Sequence, residues 1–142
     1  VRDCEPYTSV AVTGGLECPH YRFDDREMNI SFMFAGDRLR RIQLWYYEGE
    51  SSVEARQAVG RILAFFQRTT GGATISARPD VPVTAEAVIS AINRAPPPRA
   101  GQIVQLEICG PSRGRSEVWF ARVGRHEHGY LVMLFAESAA GR

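Results

Sequence analysis

Residues 50–68 read ESSVEARQAVGRILAFFQR, and this stretch decides the fold class. Ala55, Val59, Ile62, Leu63 and Phe66 recur at the spacing of one face of a helix with 3.6 residues per turn. Glu54, Gln57, Arg61 and Arg68 fall on the other side. Ser51 followed by Glu54 fits a capping box, in which hydroxyl and carboxylate satisfy N–H groups that the first turn leaves orphaned. Glu54 in the first turn and Arg68 in the last suit the helix dipole. Gly71 and Gly72 provide the stop. Gly60, inside the helix, is read as close packing of the helix backbone on a sheet. At about 1.5 Å per residue the helix spans about 27 Å, enough to cross a small sheet.

On its N-terminal side, residues 29–35 alternate Ile30, Phe32 and Phe34 with Asn29, Ser31 and Met33, the pattern of a half-buried strand. Gly36 and Asp37 make a tight turn. The strand from Arg38 to Tyr47 follows, with Ile42, Leu44 and Tyr46 on one face and Arg41, Gln43, Trp45 and Tyr47 on the other. Residues 1–27 are polar and contain Pro6, Gly14, Gly15 and Pro19. They read as a loop-rich segment holding at most a short strand near residues 9–13, ending in the solvated charges Asp24 to Glu27.

On its C-terminal side, residues 73–77 fit a short edge strand. Thr84 caps a second helix whose apolar stripe is Ala85, Val88, Ile89 and Ile92, and Pro96 to Pro98 end it. Three strands close the chain, over residues 102–109, 117–123 and 130–136. The last is apolar on both faces, which places it centrally. The expected fold is therefore α+β: one domain over residues 1–142, with an antiparallel sheet made of an N-terminal hairpin and a C-terminal three-stranded meander. Both helices pack on one face of that sheet.

Composition narrows the function classes. A 44% hydrophobic and 23% charged chain is ordinary for a globular protein. A net charge of +1 argues against a nucleic-acid partner or an anionic membrane surface. All 17 basic residues are Arg, which fits the codon usage of a G- and C-rich genome together with the abundant Ala and Gly. No apolar run is long enough for membrane insertion. The chain starts at Val1 without a signal-peptide pattern, which reads as a processed form or a piece of a longer precursor. Cys4 and Cys18, both in the N-terminal segment, read as a disulfide in an oxidising compartment, with Cys109 free. The expected setting is periplasmic or secreted, and bacterial.

Catalytic signatures are sparse. His126 and His128, two residues apart in the last turn, are weak candidates for a metal site. It would need a third ligand such as His20 or Asp24. Cys18 beside His20 lacks the geometry of a nucleophile and its base. No glycine loop has phosphate-binding spacing. No cofactor is expected, and the chain is read as a non-enzyme. Arg41, Gln43, Trp45 and Tyr47, extended by Trp119 on its own strand, hold the residue types enriched in binding hot spots. The expected function is a non-catalytic exported domain of accessory, inhibitor or immunity type, binding another protein through this exposed sheet face. The alternatives are a small-molecule or lipid carrier with a cavity between sheet and helices, lined by Phe65, Phe66 and Met133, and a metal-dependent enzyme using the histidine pair.

Overall fold

The computed structural model describes residues 5–9, 12–70, 75–113 and 117–138. In chain order these form β1 (Glu5–Ser9), β2 (Val12–Phe23), β3 (Arg26–Ala35), β4 (Arg38–Gly49), α1 (Ser52–Thr70), β5 (Ser76–Arg78), α2 (Ala85–Arg94), β6 (Val104–Arg113), β7 (Glu117–His126) and β8 (Gly129–Ser138). The strands make one antiparallel sheet in the order β1-β2-β3-β4-β8-β7-β6-β5. The two helices pack against each other and lie over β4, β8, β7 and β6. The α+β class, the hairpin, the meander and the single helix-bearing face are all present, and β8 takes the central place that its two apolar faces require.

The helices form where the sequence places them, for the reasons it offers. The Glu54 N–H donates to the Ser51 hydroxyl at 3.1 Å, and the Ala87 N–H donates to the Thr84 hydroxyl at 3.1 Å. Ala55, Val59, Ile62 and Phe66 are fully buried, together with Val88, Ile89 and Ile92 of α2. Against them stand Leu44, Tyr46, Leu106, Ile108, Ala121, Val123, Val132 and Leu134 from the sheet. Each such aliphatic or aromatic side chain contributes about 1.5–3 kcal/mol by leaving water. Gly60 departs from expectation: a Cβ there would meet the Ala85 methyl at 3.9 Å, so it sits against the start of α2 and not on the sheet.

The larger correction concerns residues 1–27. The expected loop-rich segment carries β1 and the twelve-residue β2. Alternation fails there because the β2–β3 register shifts between Cys18 and Tyr21. Pro19, which has no N–H, and His20, with φ of 57°, occupy that bulge. The acids read as a solvated cluster make the β2–β3 turn. Asp24 and Asp25 have φ of 52° and 59°, the left-handed pair that a two-residue hairpin of type I′ demands. The turn reaches α1: Asp24 pairs with Arg68 at 2.7 Å, and Phe23 meets the Phe65 and Trp119 rings at 5.3 and 6.3 Å.

Candidate functional site

Strand β4 shapes the face that the helices leave bare. Ile42, Leu44 and Tyr46 point to the helix side, and Arg41, Gln43 and Trp45 to the other. A bulge between Trp45 and Tyr47 then breaks the alternation. Trp45 pairs with Met133, whereas Tyr47 pairs with Val132. Tyr47 therefore turns back toward the helix side, where its hydroxyl oxygen accepts the Ser51 N–H at 2.9 Å. Trp119 also departs from the expected patch. With Ala121 and Val123 it faces the helices, its ring 5.0 Å from that of Phe65. Small Ala121 between two larger neighbours leaves room for that packing. Of the five expected binding residues, Arg41, Gln43 and Trp45 share the helix-free face, and Tyr47 and Trp119 do not.

That face has a second, smaller core. Phe120 and Phe135 stack at 4.8 Å with only 9° between their planes, and Met133, Trp45 and Leu131 pack around them. No helix residue belongs to this cluster among the described residues. Phe120 is 1% exposed and Phe135 2%. Guanidinium groups help to close the cluster: Arg122 lies 5.4 Å and 5.0 Å from the two ring centres, and Arg41 lies 5.3 Å from that of Phe135. A planar cation held over an aromatic face gains from the ring quadrupole while keeping an edge toward water. Arg41 pairs with Glu137, and Arg122 lies 3.7 Å from Glu107. The Arg122 Nε is buried without a hydrogen-bond acceptor. Gln43, expected on the surface, is only 9% exposed and donates to the Met33 sulfur at 3.7 Å.

Gly124 opens this face. Standing between Gln105 and Leu131, it contributes no side chain, and the notch left behind is a groove of about 170 Å³ walled by Ile103, Arg122, Met133 and Phe135. Ile103, on its rim, is 54% exposed. At the far end of β4 and β8 a second cleft, of about 370 Å³, lies between Leu39, Arg41, Glu117 and Glu137. Sequence reasoning missed Phe120, Leu131, Phe135, Arg122 and Gly124. The two-faced apolarity of β8 was the available signal, because a strand apolar on both sides needs a core on both.

The remaining candidates separate. His126 ends β7 and His128 lies in the β7–β8 turn, with ring centres 6.3 Å apart, and His126 Nδ1 accepts the His128 N–H at 3.2 Å. Neither expected third ligand joins them: His20 pairs with Glu27 at 3.6 Å and Asp24 with Arg68. Among the described residues no three His, Cys, Asp or Glu side chains gather as metal ligands. The residues expected to line a carrier cavity separate. Phe66 is sealed in the helix-side core, and Met133 lies on the opposite face of the sheet, so the two cannot line one pocket. Cys109 is a free thiol. The expected bond between Cys4 and buried Cys18 lies outside the described residues through Cys4. No helix among the described residues is long and apolar enough to cross a membrane. Comparison of the chain with known protein families, curated proteins and solved structures finds no match.

Proposed function

We propose that the protein is a non-catalytic binding domain, exported by a bacterium, that engages a protein partner through the helix-free face of its sheet. The observation that carries this reading is the groove over Gly124, beside the Phe120–Phe135 stack with its arginines. It combines an apolar rim at the exposed Ile103, an arginine beside it, and a notch the size of a side chain set on a rigid aromatic floor. The apolar rim and the missing side chain at Gly124 favour a partner that inserts an apolar side chain into the notch. The expected site shrinks to Arg41 and Trp45 from β4 and gains Ile103, Arg122 and Leu131.

The test is a photo-crosslinker at position 103, used to capture partners from a bacterial envelope fraction, followed by titration of wild type and variants with the captured protein. Ile103→Glu changes stability by no more than about 0.5 kcal/mol, as expected for an exposed position. It weakens binding by at least about 2 kcal/mol, and Trp45→Ala does the same. A captured partner that binds Ile103→Glu as tightly as wild type, or crosslinks that map to the helices, would refute the assignment.

A further inference from the structure

We infer that the cleft between the first residue of β3 and the N-terminal half of α1, on the helix side and away from the proposed interface, binds a small tetrahedral oxyanion such as a phosphate or sulfate group. Arg26 and Arg61 line it, with Gln57, Tyr47 and Glu54. Its volume is about 60 Å³. That is roughly twice the share of one water molecule in the liquid, which suits one small ion and no organic scaffold.

Charge bookkeeping favours an anion. The guanidinium groups of Arg26 and Arg61 make no ion pair or hydrogen bond with the protein among the described residues. Asp24, which meets the Tyr46 wall of the cleft, is already engaged: it accepts from Arg68 at 2.7 Å and from the Tyr46 hydroxyl at 3.4 Å. Two planar guanidinium groups offer forked N–H pairs that match the oxygens of a phosphate or sulfate. Gln57 stands one helical turn before Arg61 and adds amide donors on the same side. The Tyr47 oxygen already accepts the Ser51 N–H, so its own O–H proton is directed elsewhere and is free to donate. Tyr46, in the wall, stays protonated: burial first, then the Asp24 carboxylate, raises its pKa well above the ordinary value, so the phenol itself adds no negative charge to the lining. Glu54 is the acid in the lining and opposes an anion there.

Inorganic phosphate titrated at constant ionic strength, followed by NMR of the backbone amides and arginine Nε–H groups, decides the matter. The expected result is saturable shifts at Arg26, Tyr47, Gln57 and Arg61, competed by sulfate and not by acetate. Arg26→Gln and Arg61→Gln each weaken the affinity at least tenfold. Glu54→Gln strengthens it several-fold, and Arg40→Gln, at an exposed arginine elsewhere, leaves it unchanged. Should Arg26→Gln fail to fold, Arg61→Gln, on an exposed helix position, decides alone. Linear shifts spread over all arginines, acetate binding as tightly as phosphate, or wild-type affinity in Arg61→Gln would each overturn the site.

Discussion

Gly110 lies under the C-terminal half of α1, and replacing it with alanine drives a methyl into the Phe66 ring. A Cβ built there falls 2.6 Å from Cζ and 2.8 Å from both Cε atoms, against about 3.5–4.0 Å for comfortable carbon contacts. The ring is fully buried, so it retreats only if α1 moves. Overpacking of this kind costs about 1–3 kcal/mol, and removing a strand glycine returns roughly 0.5–1 kcal/mol. Gly110→Ala is therefore expected to destabilise by roughly 0–2.5 kcal/mol, toward the upper end because the overlap is with a buried ring. Phe66→Leu alone removes the ring edge and leaves a cavity, at a cost of about 1–2 kcal/mol. Combined, the added methyl fills the vacated space, and the double variant should fall short of the sum by at least about 1 kcal/mol. Equilibrium unfolding of the four proteins in urea, compared at a common slope, measures this coupling. Additivity of the two changes within about 0.5 kcal/mol would show that the ring does not rest on Gly110 and that α1 is seated differently.

Three further outcomes follow from the same geometry. Gly129→Ala places a Cβ 2.4 Å from the Gly49 carbonyl oxygen at a φ of 146°, and should destabilise by more than about 3 kcal/mol; Gly36→Ala, at φ of 64° with open space around it, should cost only about 1–2 kcal/mol. Equal shifts in thermal midpoint would contradict that ordering. The Tyr46 phenol is raised from its ordinary value near 10 by burial and by Asp24, so the stability it contributes is complete below pH 10 and is lost as pH rises further. The loss approaches about 1.4 kcal/mol per pH unit, and Tyr46→Phe should flatten the alkaline limb; an unchanged limb argues against a buried phenol. For the cysteines, mass mapping of the oxidised protein should recover Cys4 linked to Cys18 and Cys109 free, and any peptide joining Cys109 to either of them refutes the pairing.

How much was legible depended on whether a residue's role followed from local periodicity. Both helices, their Ser51 and Thr84 caps and the meander obey 3.6- or 2-residue repeats, and the structure contains them. What failed sits at bulges. The extra residue opposite β8 sends both Tyr46 and Tyr47 to the helix side, and the Pro19–His20 bulge hides β2 behind a broken repeat. A one-residue slip exchanges the faces of everything beyond it, so an alternation carried through Tyr47 assigns it to the wrong side. Trp119 failed for another reason. Its strand mixes sizes and polarities on both faces, and only the neighbouring Phe23 and Phe65, distant in sequence, show which side it serves. The candidate site was half visible: Arg41 and Trp45 come from a strand with a clear repeat, whereas the Gly124 notch exists only once three strands lie side by side.

The two halves of the sheet come from opposite parts of the chain, and that sets the order of folding. β1 to β4 are neighbours in sequence, as are β6 to β8, so each half assembles from hairpins on microsecond scales. The seam between β4 and β8 joins partners such as Arg41 and Glu137, 96 residues apart. Closing so long a loop costs roughly 2 kcal/mol more entropy than closing one of ten residues. The seam therefore zips late, and the chain should fold slowly for its size. Until it closes, β8 shows water an open edge whose sequence, YLVMLFA from Tyr130 to Ala136, carries no charge and no proline. Such an edge pairs readily with another chain. Refolding yield should therefore fall as protein concentration rises, even though the finished sheet holds that strand at its centre.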